Sequence, residues 1–214
     1  MSIERVSRKV CVADFDDTTI GREKIIRYLA LIGGTIHPHK LPNLTREDIS
    51  NLDINHNRVE GHVKGWWEDK TFRVHRRRKI LPGVRDKLAR LVDQGVDIYG
   101  NTGRSNKSDW VDMTDETLQR GGVRNYFKEI FYTPEGTKTA VSKAHGLYLL
   151  LEQYDDLEFY DDDPRTTHFI AAMFPEIQVK LIQYRSTGLL VARRDLETLP
   201  NLKKITSFAK ADYN

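Results

Sequence analysis

Lys9-Val10-Cys11-Val12-Ala13 runs directly into Asp14-Phe15-Asp16-Asp17-Thr18-Thr19, and this junction decides how the rest of the chain is read. The first five residues are a short, β-branched, nearly continuous apolar run, the pattern of a strand covered on both faces in a parallel sheet. The run stops on a cluster of acids. In an open parallel sheet the carboxyl ends of all strands share one edge, and ligands bind there, so acids at a strand end are candidates for chemistry.

Downstream, strands and helices alternate. Leu81 to Gly95 reads as a helix, with Val84, Leu88, Leu91 and Val92 at helical spacing, Pro82 near its start and Gly95 after its end. Val96–Tyr99 resumes a strand, expected to break at the turn-rich Gly100-Asn101-Thr102-Gly103-Arg104, before a helix from about Lys107 to Arg120 closed by Gly121-Gly122. Glu129–Tyr132 is a strand, Thr139–Gln153 a helix, and Leu157–Tyr160 a strand ending at Asp161-Asp162-Asp163. A helix over Thr166–Met173 and a strand over Gln178–Gln183 continue the series, and the tail after Thr187 shows no clear period. The alternation predicts an α/β fold with a doubly wound, Rossmann-like parallel sheet.

The interval between the first strand and the Leu81 helix breaks the alternation. Glu23–Ile32 has helical character, but Gly33-Gly34, Pro38, Pro42, an Asn-rich stretch and Trp66-Trp67 interrupt any simple period. The expected organisation is a core formed by residues 1–20 and 80–214, with 21–79 inserted as a small, mostly helical cap.

Bulk properties bound the function. A chain of 214 residues suits one ordinary domain carrying an insertion, and a formal charge of +3 is too small to announce a nucleic-acid or membrane partner. Cys11 is the only cysteine, which excludes an intramolecular disulfide. The charged N-terminus lacks the apolar core of a signal peptide, and no stretch has the length of a membrane span, so a cytoplasmic protein without a membrane partner is expected.

Carboxylates gathered at one sheet edge repel each other, and burying them unpaired is very costly, so a cation is expected among them. Oxygen-only ligands select a hard ion, Mg²⁺ first. With the Thr102 hydroxyl and a lysine ammonium, the site suits the oxygens of a phosphoryl group, and a carboxylate can act as nucleophile through an aspartyl-phosphate.

Asp14-Phe15-Asp16-Asp17-Thr18 resembles the DxDx[TV] signature of the haloacid dehalogenase superfamily. Asn101-Thr102-Gly103-Arg104 is similar to its second motif, Leu81-Pro82-Gly83-Val84 to the helix start that often precedes it, and Asp161-Asp162-Asp163 after Leu-Glu-Phe-Tyr to its acidic fourth motif. The resemblance covers roughly Lys9 to Gln183 and excludes the insertion. It implies that Asp14 is nucleophile and metal ligand. Asp16 would serve as general acid and then base, and as a metal ligand through its carbonyl. Thr102 would hold phosphoryl oxygens, with Gly103 and Arg104 beside it at the substrate. Asp161 or Asp162, or both, would complete the Mg²⁺ site. The phosphate-contacting lysine is Lys143 or Lys138, with Lys143 favoured. Family members that cleave carbon–halogen bonds lack the second acid, so Asp16 implies phosphate ester chemistry.

Blander roles stand beside these. Asp163, before Pro164, is read as a helix cap, and Arg165 is as readily a surface residue as a phosphate ligand. The basic run Arg73 to Lys79 reads first as a solvated face, Trp66-Trp67 as packing residues, and His37-Pro38-His39 as loop. The expected substrate is a small phosphorylated molecule. A nucleic-acid end-processing phosphatase gripping a strand through Arg73–Lys79, and a non-catalytic binding protein of the same fold, are the alternatives.

Overall fold

A computed structural model of the chain describes residues 8–16, 18–21, 43–64, 66–182 and 199–211. The Glu23–Ile32 helix and His37-Pro38-His39 fall outside these residues, as do the side chains of Trp66 and Trp67.

The six strands are β1 (Lys9–Ala13), β2 (Asp97–Ser105), β3 (Glu129–Thr133), β4 (Asp156–Asp161), β5 (Gln178–Ile182) and β6 (Leu202–Ile205). They form one sheet in the order β3-β2-β1-β4-β5-β6, with every neighbouring pair parallel. The helices are α1 (Arg46–Ser50), α2 (Trp66–Arg76), α3 (Val84–Asp93), α4 (Ser108–Arg120), α5 (Thr139–Leu151) and α6 (Pro164–Met173). This is the expected doubly wound α/β arrangement. Its switch point lies at β1 and β4, where successive connections turn to opposite sides.

The pleat explains why β1 is apolar throughout. Val10 and Val12 point into a cluster with Tyr99, Phe131, Leu147, Phe159, Phe169 and Val179 on one face. Cys11 and Ala13 point the other way, among Leu88, Leu91, Ile98, Leu118, Ile130 and Tyr160. Both faces are covered, so neither parity can be polar. Helix α3 ends as the sequence requires: Gly95, at φ 74°, lets its N–H reach Val92 O (2.9 Å) and the Val96 N–H reach Leu91 O (2.9 Å). Of its apolar stripe, Val92 alone faces solvent, 45% exposed.

Two elements differ from the sequence reading. Strand β2 does not break at Gly100; it continues to Ser105, with a register shift against β3 between Asn101 and Ser105. Gly100 is there for space, since a Cβ would lie 2.5 Å from Phe15 Cζ and 3.1 Å from Ile130 Cγ1. The second difference is β6, which adds a strand from the tail outside β5.

The segment between β1 and α3 leaves and returns at one point. Ile20 and Ile80 form an antiparallel bridge, Gly21 N–H donates to Lys79 O (2.9 Å) and Leu81 N–H to Thr19 O (2.9 Å). Part of the segment lies on the sheet layers themselves. Ile49 of α1 is fully buried in the Val10 cluster, and the His56 ring bonds Tyr132 O (2.8 Å) and His145 Nδ1 (2.9 Å).

Candidate functional site

Strands β1 and β4 pair Ala13 with Tyr160, so the next residue of each, Asp14 and Asp161, emerges at the same edge. Asp14 N–H donates to Tyr160 O (2.9 Å), holding the chain against β4 as it leaves the sheet. Ligand oxygens of Asp14, Asp161 and Asp162 all lie within 4.8 Å of one another. Asp14 and Asp161 are buried, and Asp162 is partly exposed.

Helix α5 delivers the countercharge. Lys143 Nζ donates to Asp14 Oδ1 (2.8 Å) and to Asp161 Oδ2 (2.6 Å), and all three side chains are at most 5% exposed. Lys138 stands exposed at the start of α5. The position of Lys143 is fixed from behind, because Asn101 Nδ2 donates to the Lys143 carbonyl (2.9 Å). Gly146, one turn on, lies where a Cβ would meet the same Asn101 Nδ2 at 3.1 Å.

One ammonium is shared between two buried carboxylates, Asp14 and Asp161. Burial raises the Asp14 pKa to about 7; Lys143 opposes the rise, and the charges of Asp161 and Asp16 add to it. Burial also raises that of Asp161, again against Lys143. Lys143 moves further into its charged range: burial opposes this, but the attraction of Asp14 and Asp161 exceeds it. A cluster of oxygen donors at this spacing, in which two buried carboxylates share one ammonium, fits a hard divalent cation such as Mg²⁺.

Asp161 is further tied by Asp163 N–H, which donates to its Oδ1 (2.9 Å). Asp163 caps α6 by accepting from Arg165 N–H (3.0 Å) and Thr166 Oγ1 (2.7 Å), the capping role expected of it.

Asp16 lies in a different environment. Arg104, from the extended end of β2, reaches it with Nη2 on Oδ1 (2.7 Å) and Nε on Oδ2 (3.3 Å). Arg78 donates to the same Oδ1, and His75 Nδ1 lies 3.6 Å from it. Burial works to raise the Asp16 pKa, but Arg104, His75 and Arg78 overcome it and hold the carboxyl well below its usual range. Thr102 is fully buried beside them; its Oγ1 accepts from Arg104 N–H (3.3 Å), and its carbonyl accepts from Thr133 Oγ1 (2.9 Å). Gly103 is exposed, and a Cβ there would sit 2.9 Å from Thr139 Cγ2.

His75 and Arg78 are site neighbours that sequence reasoning missed. The basic run reads as a solvated face, and Arg73, Arg76, Arg77 and Lys79 are indeed exposed, but the Arg78 side chain is 1% exposed and turned inward onto Asp16. Nothing in a run of consecutive cations marks which one turns in.

Comparison with known proteins agrees on the fold. No protein-family model matches the sequence, and no curated protein sequence matches it. Protein Tyrosine Kinase A of Mycobacterium tuberculosis superposes with a TM-score of 0.57 at 14% identity, over 94% of each chain. L-2-haloacid dehalogenase from Xanthobacter autotrophicus superposes with a TM-score of 0.55 at 10% identity, over 94% of this chain and 96% of that one. Against the class C acid phosphatase of Bacillus anthracis the TM-score is 0.46 at 20% identity, and the match covers 74% of this chain but only 54% of that one. The chain has the fold of the haloacid dehalogenase-like proteins.

Proposed function

We propose that this chain is a Mg²⁺-dependent phosphohydrolase that cleaves phosphate monoesters through a phosphoryl group carried on Asp14. The fold alone does not select this activity, since neighbours of the same fold are named as a kinase and a dehalogenase. The observation that carries it is the arrangement at the β1–β4 edge: Asp14 paired with Lys143, Asp161 and Asp162 within ligand distance, and a second acid, Asp16, two residues on.

In the first half of the reaction an Asp14 carboxylate oxygen attacks phosphorus, and the bond from phosphorus to the leaving alcohol breaks. Lys143 keeps Asp14 oriented and offsets negative charge, and Thr102 donates to the phosphoryl oxygens. Asp16 gives the leaving oxygen its proton. In the second half Asp16, now a carboxylate, removes a proton from water, which attacks phosphorus; phosphate departs and Asp14 is regenerated. Asp14, Asp161 and Asp162, with the Asp16 carbonyl, would hold Mg²⁺, which would supply Lewis-acid charge to the phosphoryl oxygens. As held by Arg104 and Arg78, Asp16 is in the carboxylate form needed for the second half, so the first half requires substrate to loosen that hold.

The test is phosphate release from an aryl phosphate. Release that depends on Mg²⁺ and falls by at least about a thousandfold in Asp14→Asn supports the proposal; metal-independent release, or an active Asp14→Asn, rejects it.

A further inference from the structure

We infer that His56, carried by the segment between β1 and α3, is a positioning residue for Lys143, acting through His145 of α5. The kinetic side of this inference rests on the phosphohydrolase reading, and the geometric side stands without it.

Lys143 holds two carboxylates, at 2.8 and 2.6 Å, so a small displacement of α5 withdraws its ammonium from one or both. The helix ends do little to prevent that. No side chain caps the start of α5, and neither an acid in its first turn nor a base in its last complements the helix dipole. The attachments lie in the middle instead. Asn101 Nδ2 of β2 donates to the Lys143 carbonyl (2.9 Å), and the Ser142 hydroxyl donates to the Tyr132 carbonyl of β3 (3.5 Å). The third attachment is His145, whose Nδ1 lies 2.9 Å from His56 Nε2.

This third contact holds what the others do not. Side chains two positions apart leave an α-helix about 200° apart, so His145 projects from the far side of the axis from Lys143. Both are nonetheless buried, Lys143 at the acids and His145 against the segment between β1 and α3. A rotation of α5 about its axis that withdrew the ammonium would have to break the contact between the imidazoles.

His56 is itself firmly placed. Asn106, buried just before α4, donates from Nδ2 to the carbonyls on either side of His56, those of Asn55 and Asn57 (3.1 Å each). The His56 ring rests edge-on against Phe131, with centroids 5.2 Å apart, and its Nδ1 meets the Tyr132 carbonyl at 2.8 Å. A carbonyl only accepts, so Nδ1 carries the hydrogen. Burial lowers the pKa of both rings, against the Tyr132 carbonyl at His56 and against Leu52 and Asp53 at His145, which favours neutral imidazoles. His56 Nε2 then accepts, and His145 Nδ1–H donates to it. One ring thus brackets a sheet carbonyl to a helix side chain. An apolar residue would fill the same space without the cost of burying polar atoms, so what the two imidazoles add is direction.

The test uses amides that replace one ring nitrogen at a time. A Gln amide reaches the place of Nε2 and an Asn amide that of Nδ1. His56→Gln therefore keeps a partner for His145 and His56→Asn loses it, whereas at the other ring His145→Asn keeps the contact and His145→Gln loses it. With an aryl phosphate and Mg²⁺, the two variants that lose the contact are expected to drop in kcat by about tenfold with KM within about twofold, and the two that keep it to stay within about threefold of wild type. The second readout needs no substrate: solvent exchange of the Lys143 ammonium in the ¹⁵N-labelled full chain, its signal identified by loss in Lys143→Met. Exchange should quicken in His56→Asn and His145→Gln and stay near wild type in the other two.

The opposite rescue at the two positions is what a merely structural role would not produce. At either position, a folded pair of variants with equal ammonium exchange, or with the order inverted, overturns the inference. Where one pair does not fold the other decides, and if neither pair folds the rings are structural and the inference falls. Ordered ammonium exchange without phosphate release in the wild type rejects the phosphohydrolase reading and leaves the bracket; phosphate release with exchange indifferent to all four variants does the reverse.

Discussion

The ammonium of Lys143 donates to Asp14 Oδ1 across 2.8 Å, although 129 positions separate the two residues. The same ammonium holds Asp161 at 2.6 Å, so one cation keeps two buried acids from repelling each other. Removing it leaves two uncompensated charges in the interior. Lys143→Met is therefore expected to cost about 3–5 kcal/mol of stability. Part of that is recovered when Asp14→Asn is added or Mg²⁺ is supplied. Urea titration checks this; a loss below about 1 kcal/mol means the pair is not buried as described.

Protons and a divalent cation compete for the same oxygens. Burial lifts the Asp14 pKa to about 7 and raises that of Asp161, so between the unfolded value near 4 and about 7 the metal-free fold holds protons that the unfolded chain has released. Its stability from these groups thus falls as pH rises through that window. Asp16 acts in the opposite sense: its lowered pKa contributes stability above about 4, which is lost only as pH falls further. The rise in Tm on adding Mg²⁺ should consequently be larger at pH 8 than at pH 5. Equal shifts at both pH values contradict cation binding by Asp14 and Asp161.

Asp14→Asn separates chemistry from folding. It removes one buried charge and its repulsion with Asp161, while Lys143 keeps Asp161 as a partner. The metal-free variant should melt no lower than wild type, and its stabilisation by Mg²⁺ should shrink. A drop of several degrees would show instead that the Asp14–Lys143 contact is chiefly structural.

Gly100→Ala tests the packing beneath Asp14. The new methyl group would sit 2.5 Å from Phe15 Cζ, and Phe15 is fully buried, edge-on to Phe127 at 5.4 Å. The ring cannot yield freely, so a loss of about 1–3 kcal/mol is expected, with lower activity because Phe15 adjoins Asp14. Unchanged stability would show that the ring has room to move.

Much of this is legible in the sequence. Strands covered on both faces are mostly apolar, so β1 and the Leu157, Phe159 and Tyr160 positions of β4 are visible in the sequence despite the buried Glu158, and the acids after them stand out as strand ends. Of the two lysines the sequence offers, Lys143 is the one that contacts Asp14, from the helix before β4. The sequence reading ends strand β2 early because Gly100 and Gly103 look like turn residues, whereas both lie where a Cβ would press on a neighbouring side chain, Phe15 or Thr139. Strand β6 is not legible in the sequence because an outer strand with exposed Lys203 and Lys204 shows no apolar period. Arg78 was hidden among neighbours of the same charge, since only packing decides which of them turns toward Asp16.

The most direct measurement is to incubate the protein with a phosphate monoester and Mg²⁺, quench it with acid, and search for a covalent phosphoryl group by peptide mass spectrometry. The account predicts the adduct on Asp14 in the wild type and its absence in Asp14→Asn. Turnover with no adduct at any quench time, or an adduct on another residue, would contradict it.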